Sequence, residues 1–210
     1  MCHRFAPLTL DELEEALASW RRGGRAAFSA RATAPDAYPG SSVPVAIPTH
    51  DAGLQAAVLT WGFTAPAAKP GAPRSIPGKL IFNTRLDTAL DQARSSRGLW
   101  AWAIEHGRCL VPVRAFYEPS ATETVASPRT GKPIQRAYRF TLAGSSVFLL
   151  AGIAQDGRFS IVTTSPNRWV SPVHNRMPLA LGPGESHLWL AGDFAALASR
   201  EEVELDGQGE

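Results

Sequence analysis

The run Arg108-Cys109-Leu110-Val111-Pro112-Val113 decides how this chain reads. Its apolar residues sit at consecutive positions, which predicts a buried strand. Further strand candidates lie downstream at Gln135–Leu142, Val147–Ala154 and Phe159–Thr164, with a short one at Pro178–Leu181. Upstream, Val43–Ile47, Gln55–Phe63 and Lys79–Asn83 read the same way. Helices are interspersed. Thr9 with Glu12 three residues on forms a capping box, Leu10, Leu13, Leu17 and Trp20 follow at helical spacing, and Gly23-Gly24 stops the run. Leu86–His106 is expected to be helical in two pieces broken near Gly98, with Leu99, Trp100 and Ala103 inward. A short helix is expected around Ser186–Ala191. Many short strands with a few helices favour an α+β fold, a curved or barrel-like mixed β-sheet core flanked by helices.

Residues 1–200 are expected to form a single domain, with 201–210 a flexible acidic C-terminal tail. Thr64–Gly78, punctuated by Pro66, Pro70, Pro73 and Pro77, reads as a long loop, and the polar segment Ser120–Pro133 as an exposed insertion. At 210 residues, 44% hydrophobic and 19% charged, the composition is that of a globular chain. A net charge of +2 permits nucleic-acid binding only through a local footprint. Two cysteines, Cys2 and Cys109, make no disulfide framework and suggest a reducing compartment. Neither a signal peptide nor an apolar run of ~20 residues is present, so the expected location is cytoplasmic, with no membrane association. The five histidines show no ligand spacing, so no metal or other cofactor is implied.

Four segments look unlike scaffold. In Met1-Cys2-His3-Arg4-Phe5, loss of Met1 would leave a free α-amine and a thiol on Cys2, a 1,2-aminothiol. An α-amine titrates near ~8, so part of it is neutral at physiological pH. It can condense with an aldehyde to an imine, on which the thiol closes to a thiazolidine. Phe82-Asn83-Thr84-Arg85-Leu86-Asp87 is a polar cluster at a strand-to-helix junction. Cys109–Pro119 is an apolar strand ending in the carboxylate of Glu118. Thr163-Thr164-Ser165-Pro166-Asn167 leads to His174-Asn175-Arg176-Met177-Pro178.

In this order and at this spacing, the four blocks resemble the SOS-response-associated peptidase family, whose members process abasic sites in single-stranded DNA. The family pattern runs Met-Cys-Gly-Arg-Phe, Trp-Gly-Leu, Asn-Ala-Arg-Ala-Glu-Thr, Pro-x-x-Gly-Phe-Tyr-Glu-Trp, Ala-Gly-Leu-Trp and His-x-Arg-Met-Pro. Cys2, Arg4, Phe5, Trp61-Gly62, Asn83, Arg85, Phe116-Tyr117-Glu118, Ala151-Gly152, His174 and Arg176-Met177-Pro178 match it, over residues 1 to about 190. The resemblance implies catalytic roles for four residues. Cys2 would attack the ring-opened aldehyde, Asn83 would orient the cysteine, and Glu118 would move protons and assist loss of Met1. His174 would protonate the sugar ring oxygen. Arg4, Arg85 and Arg176 are the implied phosphate clamps, and Trp61 is a candidate wall or stacking residue of the DNA groove. The implied partner is single-stranded DNA containing abasic sites, bound by a monomer.

His3 replaces the family's glycine, Pro119 the aromatic after the glutamate, and Ala154 the final aromatic of the Ala-Gly block. Taken one at a time, the residues have plainer readings. Asn83 could cap a helix, Arg85 and Arg176 could pair with acidic neighbours, the tryptophans could be core, and Cys109 a buried inert thiol. Two other functions fit the sequence: an N-terminal-nucleophile amidohydrolase acting through Cys2, or a non-catalytic single-strand binding module.

Overall fold

A computed structural model describes residues 2–21, 34–51, 53–64 and 80–210. The expected stop at Gly23-Gly24 and the Pro-rich loop beyond Thr64 lie outside these residues. In chain order the elements begin with β1 (Arg4–Pro7), α1 (Leu10–Arg21), β2 (Ser42–Pro48), β3 (Leu54–Trp61) and β4 (Phe63–Thr64). Then come β5 (Leu80–Ile81), β6 (Asn83–Arg85), α2 (Leu86–Ser95) and α3 (Ala101–His106). Strands β7 (Arg108–Ala126), β8 (Pro133–Leu142), β9 (Phe148–Gln155) and β10 (Arg158–Thr164) form the longest block. The chain ends with β11 (Met177–Pro178), β12 (Ala180–Leu181), α4 (Ser186–Leu190), a 3₁₀ turn (Phe194–Ala198) and β13 (Leu205–Gly209). This is the expected single α+β domain.

One large mixed sheet organises the molecule. Strands β7, β9, β10, β3 and β2 are neighbours in that order, and β2 returns to β7 through Ala46 opposite Leu110, so the five close a ring. β8 and β13 extend the sheet from β7, and β1 pairs with β7 beyond Val113. β6 and β11 both lie against β10.

The unbroken apolar run of β7 is explained by burial on both faces. Cys109, Val111 and Val113 join a cluster with Phe5, Trp61, Phe116, Phe140 and Phe159. Leu110 points to a second cluster, in which Leu13 and Leu17 of α1, Ile104 of α3 and Trp189 of α4 pack on Ala151 and Ile153. Each of these large side chains contributes roughly 1.5–3 kcal/mol by leaving water. The capping box is real: the Thr9 hydroxyl accepts from the Glu12 N–H at 3.2 Å and the Thr9 N–H donates to the Glu12 carboxylate at 2.9 Å. Glu12 also pairs with the buried Arg114 at 2.6 Å, pinning α1 to β7.

One expectation is corrected. Residues 201–210 are not a frayed tail: Leu205 is buried, and β13 pairs with β8 from Leu142 to Tyr138, so backbone hydrogen bonds and one apolar anchor hold the segment. Ser120–Pro133 is largely exposed, as expected, and it is regular. Its first half continues β7, and Thr124 to Ala126 pair with Gln135 to Pro133 of β8, making a long exposed hairpin. The helix expected from Leu86 to His106 does break, with Ser96 and Gly98 both left-handed between α2 and α3. No helix among the described residues is long and apolar enough to cross a membrane.

Candidate functional site

The site is assembled from four segments meeting at one end of β7. Phe5 lies opposite Phe116 and Arg4 opposite Tyr117 in the β1–β7 ladder. That register carries Cys2, just before β1, to the level of Glu118. Cys2 is fully buried, and its thiol lies 3.4 Å from the carbonyl oxygen of Arg4. β6 runs parallel to β10, with Asn83 opposite Ile161. From there the Asn83 amide donates to the carbonyl oxygen of Cys2 at 2.7 Å. A residue 81 positions away in the chain thus fixes the peptide that carries the thiol.

Glu118 is completely buried. Burial penalises its charged form and pushes its carboxyl up to about 7, while the positive α-amino group and, less, the Cys2 backbone N–H draw it partly back. Burial beside that carboxylate pushes the Cys2 thiol well above its ordinary range, so the sulfur is held as the thiol. His174 places Nδ1 3.8 Å from the Glu118 carboxylate. The same nitrogen is 3.1 Å from the Arg176 N–H and 2.9 Å from the Arg176 carbonyl oxygen, accepting in one tautomer and donating in the other. Burial lowers the proton affinity of His174, and the nearby exposed His3 lowers it further. The four residues Cys2, Asn83, Glu118 and His174 therefore come together. Between them they offer a thiol, a fixed amide donor, and a carboxyl–imidazole pair able to exchange protons near neutrality. Among the described residues, no group of three or more His, Cys, Asp or Glu side chains could hold a metal ion.

The cations sit differently. Arg85 grips Asp87 at 2.7 Å and is largely exposed. Arg176 donates to the Thr163 carbonyl oxygen at 2.8 Å and lies 3.9 Å from the same Asp87. These two guanidiniums therefore converge on one carboxylate beside His174, and their pull holds the Asp87 carboxyl down to about 2. Arg4 faces away. By strand alternation it shares a face of the sheet with Tyr117 and not with Glu118. Its guanidinium lies over the Tyr117 ring at 3.8 Å and pairs with Asp36 at 2.6 Å and Glu210 at 2.8 Å.

Trp61 does not line a groove. It is fully buried against Phe5, and its indole N–H donates to the Phe82 carbonyl oxygen at 2.8 Å, so no face is left for a base. Gly62 after it has φ +113, and a side-chain carbon there would lie 3.2 Å from Leu80 Cβ, which explains the Trp-Gly pair as a turn. Sequence reasoning allowed Arg85 and Arg176 acidic partners without naming Asp87, and it passed over Thr163 as an arginine acceptor. The signal for Asp87 was its position two residues after Arg85.

The chain is 28% identical to the abasic site processing protein YoaM of Bacillus subtilis (strain 168) over 141 residues, 63% of this chain and 55% of that protein. It is equally similar to YobE of the same organism, over 57% of that protein. The chain thus matches just over half the length of these curated relatives. Among solved structures, a phage-related protein from Bordetella bronchiseptica superposes with a TM-score of 0.63 at 22% identity, covering 100% of this chain and 94% of that one. A second protein from the same organism gives 0.64 at 20%, covering 100% and 99%; both likenesses concern the fold. The model of one family, SOS response associated peptidase (SRAP), matches residues 1–205 from the N-terminal cysteine through to the edge of β13, and to that family this chain belongs.

Proposed function

We propose that this protein processes abasic sites by cross-linking itself to single-stranded DNA through Cys2 once Met1 is removed. The observation that carries the reading is the meeting of Cys2 with a buried carboxyl that titrates near neutrality, with an amide from Asn83 fixing the cysteine. The names of the curated relatives point to the same substrate. In the proposed reaction the α-amine adds to the C1′ aldehyde of the ring-opened deoxyribose. The carbinolamine loses one water to give an imine. The Cys2 sulfur then bonds to the imine carbon, and its proton ends on the nitrogen, closing a thiazolidine.

Glu118 suits the proton transfers because, near pH 7, it is present as both acid and base. It would take the proton of the buried thiol, which cannot ionise unaided, and would return it to nitrogen. His174, facing Glu118 at 3.8 Å, is the group placed to protonate the sugar ring oxygen as the ring opens. Arg85 and Arg176 would exchange part of their hold on Asp87 for a phosphate of the bound strand. Glu118 would also serve in self-processing, the peptidase step that removes Met1.

The test is a denaturing gel with intact-mass analysis of protein confirmed to lack Met1. It would be mixed with a single strand carrying one abasic site, beside an undamaged strand and a Cys2→Ala variant. A heat-stable adduct one water lighter than the sum of its parts, absent with undamaged DNA and with Cys2→Ala, is expected. Absence of adduct from the processed protein refutes the mechanism.

A further inference from the structure

From Thr124 to Gln155 the chain carries four cations, Arg129, Lys132, Arg136 and Arg139, and no Asp or Glu. The structure places two of them at the tip of the exposed β7–β8 hairpin. That hairpin rises directly from the site. β7 leaves Glu118, and the Ala121 N–H donates to the Val173 carbonyl oxygen at 2.9 Å, one residue before His174. The ribbon then runs outward through Thr124, Val125 and Ala126 paired with Gln135, Ile134 and Pro133. Its tip is closed by the Ser127 N–H on the Lys132 carbonyl oxygen and the Gly131 N–H on the Ser127 carbonyl oxygen, both 2.8 Å.

Arg129 and Lys132 are exposed, and neither has a carboxylate partner among the described residues. Arg136, lower on the ribbon, is different: it is paired with Glu123 at 3.2 Å. Residues 121–135 join none of the hydrophobic clusters. A two-stranded ribbon without a core is marginal by itself, so packing does not account for a closed tip that carries two free cations.

We propose that this hairpin is a DNA arm, whose Arg129 and Lys132 hold the sugar–phosphate backbone flanking the abasic nucleotide. The inference rests on the proposed function for its substrate. Arg129 and Lys132, without a carboxylate partner at the tip, complement a polyanion, and a DNA backbone lies within their reach. From Pro119 to Ala126 the ribbon extends roughly 20 Å at ~3.3 Å per residue. That is about six steps of duplex at ~3.4 Å each. The arm therefore contacts DNA well away from the reacting sugar and adds affinity that the site itself does not supply.

Fluorescence anisotropy with undamaged and abasic oligonucleotides tests this on the full chain. The variants are Arg129→Ala with Lys132→Ala, and a second form with residues 127–132 replaced by Asn-Gly, which keeps a hairpin turn. Loss of two phosphate contacts lowers the slope of log affinity against log salt by about 1.4 to 1.8. Between 50 and 200 mM salt, wild type is thus expected to lose roughly tenfold more affinity than either variant. The abasic DNA concentration for half-maximal cross-linking should rise by the same factor as the loss in affinity. Flanks shorter than about six nucleotides should erase the difference between wild type and variant, and single-stranded against duplex flanks identify which form the arm grips. Unchanged salt slopes in both variants, with thermal melts like wild type, overturn the proposal and leave the ribbon to a protein partner. The undamaged-DNA measurement stands apart from Cys2 chemistry: a reduced slope without any cross-link would keep the arm and refute the cross-linking reading.

Discussion

Glu118 is where stability and reactivity conflict. Its carboxyl is raised from 4.5 to about 7 by burial. The folded state thus holds a proton that the unfolded chain releases earlier. The stabilisation is complete below about 4.5 and is lost as pH rises through about 7. Across that window the molecule forfeits at most about 3 kcal/mol. Glu118→Gln keeps the shape and removes the charge, so its melting temperature at pH 8 should exceed that of wild type by several degrees, with little difference at pH 5. Cross-link formation, which in wild type should rise through an apparent ionisation near 7, should be abolished in the same variant. Equal melting at pH 8 would mean that the buried carboxylate is better solvated than its surroundings indicate. Glu118 was legible only through the match of Phe116-Tyr117-Glu118 to the family pattern, since a lone carboxylate after an apolar strand reads as a solvated loop residue. The fate of Arg4 and Trp61 was not. A motif gives residue identity but not the side of the strand, and alternation across β1 and β7 turned Arg4 away while the Phe5 cluster enclosed Trp61.

At the level of elements, β13 was the piece misjudged. Its sequence, Leu205-Asp206-Gly207-Gln208-Gly209, looks like a loop because glycine is poor in strands. The two glycines are what the pairing requires. A side-chain carbon on Gly207 would come within 2.8 Å of the Phe140 ring, and one on Gly209 within 2.5 Å of the Arg136 guanidinium. Glycines two apart on one strand face are a readable sign that a neighbouring strand's large side chains lie across them. The two positions should differ in consequence. Phe140 is fully buried and cannot move, so Gly207→Ala should cost about 1–3 kcal/mol by overpacking. Arg136 is long and partly exposed, so Gly209→Ala should cost far less. Urea denaturation of the two variants makes the comparison, and equal costs would contradict this account of β13. The hairpin of β7 and β8 escaped detection for a different reason. Its exposed Thr, Ser and Lys residues have no buried face, and alternation is visible only where one face is apolar.

For the whole molecule, β7 decides cooperativity. It contributes Val111 and Phe116 to one cluster and Leu110 to the other, so neither can come apart without breaking the same strand. The α+β class and ringed sheet were legible because β7 and β9 carry continuous apolar runs among other short strand patterns, with helical patterns interspersed. The pairing of β3 with β10 in parallel was not, since it depends on a crossover that no local pattern records. Unfolding followed by near-UV and far-UV circular dichroism should give superimposed transitions. Two separated steps would mean that the helical cluster and the ring are independent units.

The ladder between β1 and β7 also sets a schedule. Arg4 is made at the start of synthesis, but its opposite residue Tyr117 appears more than a hundred residues later. At ~5–20 residues per second the N-terminal strand waits roughly 5–20 seconds for a partner. In that interval Met1 is open to any aminopeptidase at the ribosome. Once β7 pairs, Cys2 is sealed at zero exposure; on the proposed reading, removal of whatever precedes it would then fall to the protein's own carboxylate. The age of a molecule, counted from its first residue, would therefore decide which agent can arm it.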